Sequence, residues 1–298
     1  MALVVCPINR KGGVGKSSSV YHLSGVFAQQ GFRVLCIDNE PQHSLTNGFL
    51  GPQEANLLAP TETTSALFMV NDVPDANQLI KETNFGNIDL IAGSDSLDQF
   101  NGPTSQAFNS LQLRIRNFIR TVADDYDFVL IDNPPNLQTC TYASLAASNF
   151  TYCISKPQEY DVQGLVPVRK AIDEVLRTTN PSIRLAGYVL NMVQARRSLH
   201  KAYENLLRRT YEEKVFEVMI PDWNDFAESL TARKPISYYK PGSRAASVME
   251  QFAKELFVRI RKLHMRPPEF QHLHPKQSSK RQVIQEELHD QAQTNQVS

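Results

Sequence analysis

The stretch from Asn9 to Ser19, Asn-Arg-Lys-Gly-Gly-Val-Gly-Lys-Ser-Ser-Ser, constrains the fold of this chain more than any other. Gly12, Gly13 and Gly15 let main-chain N–H groups close around a phosphate with no Cβ in the way. Lys16 follows with a point positive charge, and Ser17 with a hydroxyl suited to Mg²⁺. The apolar run Ala2 to Ile8 predicts a strand before the loop, and Ser17 to Gln30 predicts a helix after it. A helix N-terminus adds unpaired donors and partial positive charge at the same spot, so strand, glycine loop and helix together read as a phosphate site. An ordinary glycine-rich turn has no need of the Lys-Ser pair in that setting.

Two more stretches read as strands that end in acids. Arg33 to Asn39 is apolar up to Asp38, and Glu40 lies two residues on, so in an extended chain the two carboxylates point the same way. Pro41 disfavours helix at Glu40 and keeps that extension. Ligands in open α/β sheets bind beyond the carboxyl ends of the strands, which is where this pair falls. Asp127 to Pro135, Asp-Phe-Val-Leu-Ile-Asp-Asn-Pro-Pro, carries an apolar strand that closes on Asp132.

The remaining pattern predicts a short helix over 63–70, a strand over 88–92 and a long amphipathic helix over 105–126. Strands follow over 150–156, 183–192 and 214–220, with helices over 162–178 and from Gly242 to His264. The fold class expected from this alternation is α/β: a mostly parallel twisted sheet with helices on both faces, in one domain over 1–265. Beyond Pro267-Pro268 the chain is rich in Gln, His, Ser and charge, which predicts a disordered polar tail over 266–298, with a short helix around 282–291. The tail histidines are irregularly spaced and read as solvated, not as metal ligands.

Composition sets the outer limits. The chain has 298 residues, 41% of them hydrophobic, enough for a sizeable core. Lys and Arg number 31 and Asp and Glu also 31, so no global charge drives it onto nucleic acid or anionic lipid; such binding requires a local patch. Cys6, Cys36, Cys140 and Cys153 lie in apolar runs at spacings that match no zinc box and read as buried thiols of a reducing compartment. The N-terminus lacks the basic flank and long apolar core of a leader, and no run reaches membrane-spanning length. A cytoplasmic protein is expected.

Lys11-Gly-Gly-Val-Gly-Lys16-Ser17 carries a second lysine, and this resembles the deviant Walker A box of the ParA/MinD family of partitioning and positioning ATPases. The resemblance spans about residues 1–265. It implies ATP and Mg²⁺ as cofactors, with Gly12, Gly13, Val14, Gly15, Lys16, Ser17 and Ser18 around the phosphates. It implies Lys11 reaching the nucleotide of a partner subunit in an ATP-dependent homodimer. Asp132 matches the Walker B acid, with Ser17 and Asp38 completing the metal set. Asp38-Asn39-Glu40-Pro41-Gln42 is similar to the family's Asp-x-Asp-Pro-Gln, whose second Asp places the attacking water; Glu40 is a departure, from which slow hydrolysis is expected.

Further along, the resemblance implies base contacts from Asn191, Pro221 and Asp222, although the residues alone read equally well as loop formers at strand ends. Arg196 matches a family arginine that touches DNA, and Arg197, Lys201, Arg233 and Lys234 extend a candidate patch for non-specific DNA, to which Arg208 and Arg209 also belong. The competing reading of that run is a solvated helix face partnered by Glu204, Glu212 and Glu213. Asp222 and Asp225 stand where some relatives place another DNA-binding arginine. The implied partners are DNA and a ParB-like or cargo-adaptor activator, with the ATP-bound protein on the nucleoid. Two alternatives share the loop. One is a MinD-like membrane switch using the amphipathic C-terminal helix, with Lys254, Arg259, Arg261 and Lys262 off its apolar face, although a final core helix covering the sheet is the favoured reading of that stripe. The other is a nitrogenase-reductase relative carrying an iron–sulfur cluster, against which the cysteine contexts argue.

Overall fold

Along β1 (Leu3–Ile8), side chains alternate between two separate cores, and this alternation organises the molecule. Val4, Cys6 and Ile8 enter one core with Ile115, Phe118 and Leu145; Val5 enters the other with Leu23 and Phe252. The same split runs through Leu35 and Ile37 against Val34 and Cys36, and through Val129 and Ile131 against Phe128 and Leu130. Strands buried on both faces read as continuous apolar runs, as these do. The computed structural model describes residues 2–69, 72–103, 110–157 and 161–264. The expected tail from 266 onward lies outside the described residues.

In chain order, β1 leads to α1 (Lys16–Gln29), β2 (Val34–Asp38) and α2 (Ser44–Phe49). Three single turns follow, α3 (Pro52–Ala55), α4 (Ala66–Met69) and α5 (Ala76–Leu79), then β3 (Ile80–Glu82) and β4 (Ile88–Ile91). Next come α6 (Arg114–Val122), β5 (Phe128–Asp132), α7 (Thr139–Ala147), β6 (Phe150–Ser155), α8 (Asp161–Thr178) and β7 (Arg184–Val193). The last elements are α9 (Ser198–Tyr211), β8 (Ile220–Pro221), α10 (Asn224–Thr231), α11 (Ile236–Tyr239) and α12 (Arg244–His264). The strands form one sheet in the order β3-β4-β2-β5-β1-β6-β7-β8, and every pairing is parallel except β3 with β4. Because β1 is central, its carboxyl end delivers the glycine loop between the ends of β5 and β6.

Two expectations change and one of two open readings is decided. The helix expected over 105–126 is shorter: a 3₁₀ turn over Ser110–Leu113 precedes α6, and 104–109 lie outside the described residues. The strand expected over 214–220 pairs only at its ends, through Val215 beside Tyr188 and the two-residue β8. Between them the N–H groups of Glu217 and Val218 donate to the Glu255 carboxylate of α12, both at 2.9 Å, which draws the chain off the sheet edge. The C-terminal helix is a core helix. Ala245, Ala246, Met249, Phe252, Ala253, Leu256 and Ile260 are buried, so its apolar face is already taken by the sheet and α1. The Arg259 guanidinium, on the basic side of this helix, lies 4.3 Å from the Phe216 ring centroid and donates to the Val215 carbonyl at 2.7 Å.

Candidate functional site

The glycine loop is held open from below. Asn9 ties its start to β6, donating from Nδ2 to the Ile154 carbonyl at 2.7 Å while its Oδ1 accepts the Lys11 N–H at 2.9 Å. Gly13 and Gly15 take φ values of 66° and 97°, where a side chain is strained. At Gly15 a Cβ would also run into the Asn191 amide, whose Nδ2 donates to the Val14 carbonyl at 2.7 Å. Gly12 faces Pro135 of the Asp-Asn-Pro-Pro stretch. Ser17 and Ser18 open α1, half-buried, immediately after the loop.

Lys16 is buried, and its Nζ donates to the Lys11 carbonyl at 3.3 Å. Burial pulls its pKa below the ordinary lysine value, and the charges of Asp132 and Glu40 pull the other way. Asp132 is buried at the end of β5, with Oδ1 accepting the Asn133 N–H at 2.9 Å and Oδ2 without a hydrogen-bond partner. Burial, reinforced by Asp38 and Glu40, holds its carboxyl well above the usual range. Glu40 reaches across to accept the Ser17 hydroxyl on Oε2 at 3.2 Å; burial raises its pKa and Lys16 lowers it. An unpaired buried carboxylate oxygen, a hydroxyl and a second carboxylate over one loop are an all-oxygen donor set that fits a hard cation such as Mg²⁺.

Asp38 is differently used. Its Oδ2 accepts both the N–H and the hydroxyl of Thr46, at 2.8 and 2.7 Å, and its Oδ1 accepts the Glu40 N–H at 3.2 Å. Burial raises its pKa and the Thr46 bonds offset part of that rise. The expected metal ligand is thus committed to holding α2 and the turn that aims Glu40. Thr46 in turn accepts the Gly93 N–H at 2.8 Å, and a Cβ at Gly93 would press on the Asp38 carboxylate. Sequence reasoning missed Asn9, Thr46 and Gly93 in these roles; Gly93, closing a strand, was the one visible signal.

Beyond the carboxyl ends of β6 and β7 a cleft of about 320 Å³ opens. Lys156, Met192, Gln194, Arg197, His200 and Asp222 are among its walls. Asn191 lies in the loop's own contact shell, and Asp222 accepts the Gln194 side-chain amide on Oδ2 at 2.6 Å. Pro221 is in β8, paired with Val193. These expected base residues lie together at the carboxyl ends of β7 and β8, and of them Asn191 is bonded to the glycine loop.

The cationic residues do not form one group. Arg196, Arg197 and Lys201 are exposed around the start of α9, with Arg197 turned to the cleft. Arg208 is consumed internally, pairing with Glu204 at 2.9 Å and Glu217 at 3.3 Å and donating to the Phe216 carbonyl. Arg233 and Lys234 are exposed beyond the C-terminus of α10, and a Cβ at Gly51 would collide with the Arg233 guanidinium. Asp225 pairs with Lys240 at 2.7 Å. Among the described residues no group of His, Cys, Asp and Glu forms a metal cluster by geometry alone, and all four cysteines are buried outside any disulfide.

An AAA-domain family model, AAA_31, matches residues 2–185. The sequence is similar to the sporulation initiation inhibitor protein Soj of Bacillus subtilis, 29% identical over 258 residues, covering 86% of this chain and 98% of that protein. The fold is similar to that of McdA from Cyanothece, with a TM-score of 0.73 at 16% identity over 86% of this chain and 100% of that one. It is also similar to cobyrinic acid a,c-diamide synthase of Mycobacterium smegmatis with bound ADP and magnesium. There the TM-score is 0.71 at 21% identity, over 88% and 96% of the two chains.

Proposed function

This chain belongs to the AAA_31 family and to the ParA-type ATPases within it, and from that premise we propose a nucleotide-driven positioning switch. Its reaction is hydrolysis of ATP with Mg²⁺. ATP closes a homodimer, the dimer holds DNA without regard to sequence, and an activator protein of the ParB or cargo-adaptor kind triggers hydrolysis and release. The observation that carries the catalytic part is the unpartnered, buried Asp132 oxygen beside Ser17, beneath a glycine loop whose Lys16 is already desolvated. Ser17 and Asp132 would hold Mg²⁺, which would supply neutralisation of phosphate charge.

Lys16 binds the phosphates as a cation stripped of water, where its attraction for them is strongest. The loop N–H groups and the start of α1 add fixed dipoles. Glu40 orients the attacking water; Asp38, pinned by Thr46, positions Glu40 through the shared turn. Glutamate carries its carboxylate one methylene further than aspartate, and small misplacement of an in-line water is costly in rate, so basal hydrolysis is slow. Lys11 serves the partner subunit's nucleotide. Asn191, Pro221 and Asp222 border the base.

For DNA, Arg196 and Lys201 are the support: exposed cations around the start of one helix in a chain with no net charge. The membrane alternative loses its supporting feature, since the apolar face of α12 is buried. DNA co-sedimentation with ADP, ATP and a slowly hydrolysed analogue tests the reading. Binding should require ATP or the analogue, and Arg196→Glu with Lys201→Glu should weaken it alike on every sequence. Each lost contact should flatten the log affinity versus log salt slope by roughly one unit. ATP-bound wild type that ignores DNA at low salt would defeat the DNA reading.

A further inference from the structure

The connection between β7 and α9, residues 194–197, is shared by two surfaces. Gln194 and Arg197 face the cleft beyond β6 and β7, whereas Arg196 is exposed. What shapes this connection is an imidazole. The Gln194 N–H donates to His200 Nδ1 at 2.9 Å, which fixes the tautomer with the proton on Nε2. His200 is buried, and its main-chain N–H donates to the Arg197 carbonyl at 3.1 Å. The Arg197 N–H closes the turn on the Gln194 carbonyl at 3.0 Å. Gln194 then passes the restraint to Asp222 through its side chain, and the Asp222 N–H donates to the Val193 carbonyl at 3.1 Å. On the other side, Met192 takes a φ of 56°, a left-handed turn uncommon for methionine, right after Asn191 has bonded the loop.

We propose that His200 is a positioning residue whose Nδ1 latches the β7–α9 connection, so that one loop both walls the base end of a bound purine nucleotide and presents the DNA-facing cations of α9. Nucleotide and DNA binding are then linked through this loop, and the linkage is reciprocal. The inference rests on the nucleotide reading above. Asparagine places its Oδ1 where histidine has Nδ1, so it preserves the acceptor; leucine fills similar space without one.

The only tryptophan of the chain, Trp223, follows Asp222 and serves as a native fluorescence reporter of cleft occupancy. With ADP and Mg²⁺, His200→Leu should weaken binding by roughly tenfold, the effect of losing one part-buried hydrogen bond. His200→Asn should stay within about threefold of wild type. With a slowly hydrolysed ATP analogue at saturation, DNA affinity should follow the same order. Wild type supplies a second measurement that needs no leucine variant. Protonation of Nδ1 removes the acceptor, and burial and Arg197 hold its pKa below the ordinary value while Asp222 raises it, with Lys156 also facing the cleft. ADP affinity of wild type relative to His200→Asn should therefore be flat above pH 6.5 and fall below it. Equal affinities for all three proteins, failure of His200→Asn to the same degree as leucine, or loss of ADP affinity with DNA affinity untouched would each overturn the proposal. A wild type that bound no nucleotide would instead overturn the reading beneath it, and Lys16→Ala identifies that signal.

Discussion

Asp132 has one oxygen bonded to the Asn133 N–H and the other buried without a partner, with Asp38 and Glu40 close enough to raise its pKa. Without a cation such a cluster is a burden on the fold. Asp132→Asn keeps the shape and removes one charge. It should raise the melting temperature of the nucleotide-free protein by a few degrees, about 1–2 kcal/mol. The same variant should lose the further rise that Mg²⁺ with nucleotide gives wild type; scanning calorimetry reads both, and a variant that is less stable without ligand would contradict the account. A second residue shows the same tension. Arg233 sits at φ 51°, just after the end of α10, where its N–H and that of Lys234 bond back to Leu230 and Ser229. Glycine is the usual occupant of that left-handed position. Arg233→Gly should stabilise by about 1 kcal/mol and, if the side chain meets DNA in the dimer, weaken that binding. Lys16, Ser17 and Asp132 were legible because they are fixed by local pattern. Thr46, Gly93 and the consumption of Arg208 by Glu204 and Glu217 were not, because they depend on which distant segments fold together.

At the scale of elements, a strand or helix was visible when one of its faces differed from the other or when it was a continuous apolar run. α12 has a broad apolar stripe, and its burial settles which of two uses the stripe has. Phe252, fully buried between Tyr152 and Phe216, should cost about 3–5 kcal/mol on truncation to alanine, measured by urea unfolding. Wild type should not sediment with anionic vesicles; nucleotide-independent sedimentation would show that the face can be exposed. α7 escaped sequence reasoning for the opposite reason. Every residue from Thr139 to Ala147 is buried, polar and apolar alike, so no stripe exists to be read. The segment after Lys214 looked like a strand by composition, but the carboxylate of Glu255 and the guanidinium of Arg259 capture its main-chain groups. β3, three residues paired antiparallel at the edge, is too short to carry a pattern.

For the whole molecule, the α/β class and the parallel sheet follow from apolar runs alternating with helical stretches, and the glycine loop falls at the end of the central strand because of that order. The residues of one chain do not display the proposed partner subunit. Equal numbers of acids and bases leave no net charge to draw the chain to DNA, so the proposed sequence-independent hold on phosphate would depend on bringing two sets of exposed cations together. Dimerisation under the control of the γ-phosphate is therefore the central claim, and light scattering tests it most directly. With Mg²⁺ and a slowly hydrolysed ATP analogue the mass should reach twice 33.6 kDa, and with ADP it should remain single. Lys16→Ala should bind neither nucleotide and stay single in both. Lys11→Ala should bind ADP as wild type does and still fail to double with the analogue. Doubling that ignores the nucleotide, or a Lys11→Ala protein that doubles as wild type does, would contradict the account.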